Sequence, residues 1–180
     1  MQKACLIAVE GQLKRQIESD GICSYGEADT PLGRLHIVWC PQGLLLISFQ
    51  TDSGVPGLND LRQRLNYLDW QRDDMVSQEL SRQLLQESCS LPLLFTGTSF
   101  QLAVLHAIQT VPCGRSVTYK WIANEIDRPS ATRAVGNALG ANPFALAIPC
   151  HRALRSDGGL GGFRWGIALK EKLLKEEQQP

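Results

Sequence analysis

No stretch of this 180-residue chain approaches the roughly 18 consecutive apolar residues that a membrane helix requires. The opening apolar run, Leu6 to Val9, stops at Glu10 and is too short for the core of a secretory signal. The six cysteines include no Cys-x-x-Cys pair, and only His36, His106 and His151 are available beside them. That spacing excludes a disulfide framework and a zinc ribbon, so no metal and no cofactor is expected. Net charge is absent too, with 18 Lys+Arg balancing 18 Asp+Glu, while 43% hydrophobic residues exclude wholesale disorder. What remains is a soluble, cytoplasmic, monomeric protein with no membrane contact and with reduced thiols. Its length suits one substantial core or two small ones.

The zero net charge conceals an asymmetry. Residues 1–95 carry 8 basic against 12 acidic side chains, a net of −4, and residues 96–180 carry 10 against 6, a net of +4. A basic half is compatible with polyanion binding or with ordinary surface chemistry, and charge alone does not separate the two.

The first twenty residues are polar and weakly periodic, which predicts an extension or loosely docked segment. Beyond Gly33, Leu35, Ile37 and Trp39 alternate with His36, Val38 and Cys40; Pro41-Gln42-Gly43 then turns the chain into Leu44 to Phe49, a β-hairpin pattern. Leu61, Leu65 and Leu68, and further on Val76, Leu80 and Leu84, recur at helical spacing. Leu91 to Gly97 reads as an extended linker, and Thr98-x-x-Gln101 has capping-box spacing ahead of Val104, Leu105 and Ile108. Val117 to Ile126, a turn with Pro129 and an N-cap Ser130, and Ala131 to Ala141 outline a helix-turn-helix. The fold class is therefore α+β: a small N-terminal α/β sheet domain and a mainly helical C-terminal domain. The boundaries are an extension over 1–20, an α+β domain over 21–90 and the helix-turn-helix domain over 91–180.

The second helix of that motif has two distinct faces. Ala131, Val135, Ala138 and Leu139 form an apolar stripe, and opposite them lie Arg133, Gly136, Asn137 and Gly140. Each exposed helical glycine costs about 1 kcal/mol relative to alanine. Either this is a weakened surface helix, or the missing side chains allow close approach to a partner. Asn142-Pro143 ends the helix, and an apolar run delivers Pro149-Cys150-His151-Arg152, with Arg155 close behind. Apolar surroundings raise a thiol's pKa, whereas a neighbouring imidazole and guanidinium lower it and make thiolate available, so Cys150 is the one thiol with activators in its own neighbourhood.

The run Arg133-Ala134-Val135-Gly136-x-Ala138-x-x-x-Asn142-Pro143-x-x-x-x-Ile148-Pro149-Cys150-His151-Arg152 resembles the signature of the O6-alkylguanine-DNA alkyltransferases, or methylated-DNA–protein-cysteine methyltransferases. Gly97-Thr98-x-Phe100-Gln101, Pro112-x-Gly114 and Val117-Thr118-Tyr119 upstream fit the same pattern. So do Gly161-Gly162-Phe163-Arg164-Trp165-Gly166 and Lys170-Glu171-x-Leu173-Leu174 downstream. The resemblance is strong over residues 92–177 and weak from Thr30 onward. It implies single-turnover repair of double-stranded DNA bearing O6-alkylguanine, and O4-alkylthymine as well, with Cys150 as the acceptor. His151 and Glu171 would relay the thiol proton through water, Asn142 would brace the cysteine loop, and Tyr119 would ease departure of the base. Arg133 would fill the space of a flipped nucleotide, with Thr118, Tyr119, Ala134, Gly136 and Arg152 at the DNA. Pro149, Phe163, Arg164 and Trp165 would form the substrate pocket.

The chain also departs from that family's pattern. Phe163 replaces a tyrosine common among relatives, and Arg164-Trp165 replaces smaller residues. The first removes one hydroxyl from the pocket, and the second implies a narrow pocket that disfavours bulky adducts such as benzyl. Cys40 matches one ligand of a zinc site found in some members, but Leu45 and Leu91 stand where its partners would be. Three other readings compete: a binding-only module, for which the reactive Cys150 should be missing; a regulator, for which the chain lacks an added domain; and a Cys-His hydrolase, for which an orienting group must be found.

Overall fold

A computed structural model describes residues 5–86 and 91–178, and the chain divides into two compact units. The first comprises the chain to Thr96 together with 143–147; the second comprises 97–142 and 148 onward.

The first unit is built on a six-stranded mixed sheet. Its strands are β1 (Leu6–Ala8), β2 (Ile22–Thr30), β3 (Gly33–Cys40), β4 (Gly43–Phe49), β5 (Asp69–Arg72) and β6 (Leu93–Phe95), in the order β1-β6-β4-β3-β2-β5. The expected hairpin is the antiparallel pair β3–β4, with a bulge between Val38 and Trp39. Every residue of β4 is buried, which explains its continuous apolar run: a strand covered on both faces has no polar side to alternate with. Helices α1 (Gly11–Asp20), α2 (Leu58–Arg64) and α3 (Asp74–Leu85) complete the unit, and Ile17, Cys23, Val38, Leu46, Leu61 and Leu94 belong to its core. Asp73 caps α3 by accepting from Val76 N at 2.9 Å. Gly26 on β2 admits the helix, since a Cβ there would lie 2.4 Å from the Asp73 carbonyl oxygen.

Two expectations change here. Within the expected extension over 1–20, the described residues from 5 onward are part of the unit: β1 pairs in parallel with β6, Leu6 opposite Leu93, and Ile17 of α1 is buried. Likewise, Leu93 to Phe95 is a strand of the sheet rather than a linker. A three-residue strand is too short to show a period, and its parallel partner lies far along the sequence. Residues 143–147 also join this unit, with Phe144 fully buried and Ile47 bonded to both Pro143 O and Ala145 N at 2.8 Å.

The second unit contains α4 (Ser99–Gln109), β7 (Val117–Thr118), α5 (Tyr119–Glu125), α6 (Thr132–Gly140), a 3-10 turn at Cys150–Arg152, β8 (Ala153–Leu154) and α7 (Ile167–Glu176). The capping box forms as expected: Gln101 N donates to Thr98 Oγ1 and Thr98 N donates to Gln101 Oε1. Helices α4, α5 and α6 pack around Val104, Leu105, Ile108, Ile122, Val135 and Leu139, all buried. Helix α6 begins one residue later than expected. Ala131 is its N-cap and makes no side-chain cap bond, while its N–H turns back to Arg128 O at 2.8 Å; Ser130 is exposed. Among the described residues no helix is long and apolar enough to cross a membrane, and the five described cysteines are free thiols.

Candidate active site

The site belongs entirely to the second unit. Tyr119 opens α5, whose N-cap Thr118 accepts from Trp121 N at 3.1 Å, so a local capping preference sets the ring's position. The Tyr119 hydroxyl donates to Gly162 O at 3.4 Å. Gly161, at φ +68°, makes room for it: a Cβ there would lie 2.6 Å from the phenolic oxygen. Tyr119, Cys150, Arg133, Arg155, Phe163 and Arg164 are among the residues that line a cleft of about 1060 Å³. Pro149 and Trp165 are buried and are not among the lining residues; the Trp165 ring instead meets Phe163 edge-on at 5.2 Å and 73°. Of the four expected pocket residues, Phe163 and Arg164 are therefore the ones that line the cleft.

Cys150 is 5% exposed, at the start of the 3-10 turn. Asn142, fully buried, donates from Nδ2 to Ile148 O at 3.3 Å and to Cys150 Sγ at 3.2 Å, tying the loop and the sulfur to the end of α6. Burial raises the thiol's pKa to about 11, and the Asn142 hydrogen bond and the charges of Lys170 and Arg164 only partly oppose it. Of the two opposing influences at this thiol, the apolar surroundings prevail over the neighbouring cations. Arg152 is committed elsewhere, and desolvation outweighs the nearby charges.

The two residues that follow Cys150 belong to a buried ionic cluster. His151 is 4% exposed, and its Nε2 is 2.7 Å from Glu177 Oε1. Arg152 donates to both oxygens of the same carboxylate at 2.6–3.0 Å and to Val111 O at 2.7 Å. Burial alone would raise the Glu177 carboxyl, but the hydrogen bonds and charges of His151 and Arg152 carry it down to about 2. The carboxylate facing His151 is therefore Glu177 rather than Glu171, which is exposed on α7. Arg152, expected at the DNA, is 7% exposed and saturated by Glu177 and Val111, so no donor fork is left for a phosphate.

Lys170 was not foreseen. It is fully buried, and its ammonium donates to Ala153 O at 2.6 Å, Leu160 O at 2.5 Å and Gly162 O at 3.5 Å, stitching together the two ends of the 153–162 loop. Burial lowers its pKa to about 8, opposed by the charge of Cys150. The signal for both misses was present. Lys170 and Leu173 sit at i and i+3 on α7 and the C-cap Glu177 follows at i+7, in line with the same face, whereas Glu171 projects about 100° away from Lys170.

On α6, Arg133, Ala134 and Asn137 are exposed, and a Cβ added at Gly136 or Gly140 would meet nothing within 4 Å. The expected outer face is thus open.

Residues 99–179 match the family described as 6-O-methylguanine DNA methyltransferase, DNA binding domain. Over 151 residues the chain is 38% identical to the methylated-DNA–protein-cysteine methyltransferase of Methanosarcina barkeri, covering 79% of this chain and 95% of that one. The chain belongs to the methylated-DNA–protein-cysteine methyltransferase family. It is also 37% identical over 161 residues to the bifunctional transcriptional activator/DNA repair enzyme Ada of Escherichia coli, covering 86% of this chain but spanning only 45% of Ada. Among solved structures, Mycobacterium tuberculosis OGT in complex with DNA superposes with a TM-score of 0.70 at 30% identity, covering 86% of this chain and 92% of that one.

Proposed function

We propose that the protein repairs DNA by direct reversal, accepting the alkyl group of O6-alkylguanine, and of O4-alkylthymine, on Cys150 in a single turnover. The observation that carries this reading is the sulfur itself. It is a buried thiol held by Asn142 and lining a cleft that Tyr119 also lines, and the next residue, His151, is paired with Glu177. Cys150 loses its proton toward the His151–Glu177 pair as it attacks the alkyl carbon; the C–S bond forms as the C–O6 bond breaks, and the O6 electron pair returns to the purine. A thiol at about 11 stays protonated until a substrate is seated, which protects it from solvent electrophiles. Tyr119 donates toward the departing base. The resulting thioether offers water no activated leaving group, so each chain acts once.

The substrate is double-stranded DNA. A base inside a duplex is unreachable, so the nucleotide is flipped at a cost of a few kcal/mol, and Arg133, exposed on α6, fills the vacated stack. The open glycine face of α6 supports close approach to the minor groove, with affinity supplied by phosphates and largely independent of sequence. The protein acts as a cytoplasmic monomer. Arg164, in place of a smaller residue, narrows the cleft against bulky adducts, so O6-benzylguanine should react more slowly than O6-methylguanine.

Incubation with an oligonucleotide containing O6-methylguanine, followed by digestion and mass spectrometry, tests the proposal. One added methylene on Cys150, absent in Cys150→Ala, is the expected result. Repaired strands in molar excess over protein, or a mark on another thiol, would overturn it.

A further inference from the structure

The first unit holds two buried thiols that the proposed repair chemistry does not use. Cys23 on β2 and Cys40 on β3 belong to one apolar cluster, with Val38, Leu46 and Leu61. The pairing of the two strands sets them opposite each other. Pro31 and Leu32 make a two-residue turn, so its closing pair, Thr30–Gly33, exchanges backbone hydrogen bonds. Bonded and non-bonded pairs then alternate along the antiparallel ladder, which runs unshifted to Ser24–Trp39, a bonded pair. The next position is Cys23 with Cys40, a non-bonded one, and the ladder ends before it because Pro41 has no N–H to extend it. Residues at such positions share one face of the sheet, with Cα atoms about 4.5 Å apart. That separation lies within the roughly 4.4–6.8 Å that a disulfide spans.

The two sulfurs are not alike. Burial raises the Cys40 thiol, while the backbone N–H groups of Gln42 and Gly43, hydrogen-bonded to its sulfur, pull the other way; its S–H donates to Gly43 O at 3.7 Å. Cys23 is pushed up to about 12 by burial and then by the charge of Cys40 beside it, against which Arg62 acts more weakly. Cys40 is therefore the better nucleophile of the two. We infer that Cys23 and Cys40 are a reversible redox pair, closed to a cross-strand disulfide by small disulfide oxidants such as glutathione disulfide and reopened by thiols. The Cys40 thiolate displaces one glutathione thiolate and forms a mixed disulfide; the Cys23 sulfur then attacks Cys40 and expels the second. Two protein thiols are oxidised, one disulfide is reduced to two thiols, and the two protein protons pass to glutathione. The bond draws Cβ atoms from the about 4.5–5.5 Å of a facing pair to about 3.8 Å, a strain that makes it easy to reduce. Both residues lie where the ladder ends, and opening is easiest at such an end.

The test holds the full chain in glutathione buffers of stepped oxidised-to-reduced ratio. A parallel set is refolded from urea in the same buffers, so that burial blocks no reaction. After an acid quench and capping of free thiols, trypsin cleaves after Arg15, Arg34 and Arg62, which leaves Cys23 as the one cysteine of peptide 16–34 and Cys40 as the one cysteine of 35–62. Mass spectrometry should find these two peptides joined, lighter by two hydrogens than their sum, in more than half of the refolded protein at the oxidising end. Reduced glutathione should separate them again, and Cys40→Ala should abolish the joined species. Glutathione taken up by Cys5 and Cys113, both exposed, reports that the oxidant has acted. Cys23 and Cys40 left free in the refolded set, carrying separate glutathione adducts, or joined to other cysteines instead would overturn the inference. So would a bridge that reduced glutathione cannot open. No methyl transfer is read, so the result stands apart from the proposed repair activity.

Discussion

Replacing Glu177 by Gln leaves His151 and Arg152, both buried, competing for one amide oxygen where a carboxylate had offered two. Breaking a buried ionic cluster costs about 3 kcal/mol, so Glu177→Gln should lower the urea midpoint clearly and slow transfer to Cys150 at least tenfold. Glu171→Gln should change neither, because that side chain is exposed. Glu177 also sets an acid limit. Its folded pKa is depressed to about 2 from an ordinary 4.5, so its contribution is complete above 4.5 and is lost as pH falls from there toward 2. Urea midpoints measured across that window should fall in the wild type and be flatter in Glu177→Gln. The Cys150 thiol has the opposite sign. With its pKa raised to about 11, alkylation of the DNA-free protein by iodoacetamide at Cys150 should keep accelerating from pH 7 to 10, without the plateau of an acidic thiol.

Helix α6 carries the sharpest trade between stability and function. Gly136 has open space where a Cβ would go and φ in the ordinary range, so Gly136→Ala should raise stability by about 0.5–1 kcal/mol through helix propensity. If the glycine face meets a groove, the same change should weaken duplex binding severalfold; a melting curve and a fluorescence titration on one variant settle both. At Gly161 the sign reverses, because φ is +68° and a Cβ would strike the Tyr119 hydroxyl. The elements themselves were largely legible. The capping box at Thr98, the alternation in β3 and the apolar stripe of α6 are local patterns, and each produced the element expected. The start of α6 was not, since the turn bond from Ala131 N to Arg128 O, rather than the Ser130 hydroxyl, closes it.

For the whole molecule, binding to undamaged duplex should weaken steeply with salt, with a logarithmic slope of roughly −0.9 per phosphate contacted. Arg152→Gln should leave that slope unchanged, because Arg152 is held by Glu177 and Val111 O, whereas Arg152→Gln should destabilise the fold. The sequence by itself determined the α+β class, the hairpin, the helix-turn-helix and the sulfur, since periodicity, caps and a motif around Cys150 are properties of neighbouring residues. Tertiary structure alone decided which carboxylate faces His151, where Arg152 and Lys170 spend their charge, that β1 and β6 complete one sheet, and that Cys150 is a raised rather than a lowered thiol. Those outcomes depend on burial and on partners far apart in the chain, and desolvation acts through the whole surrounding structure, which no local pattern records.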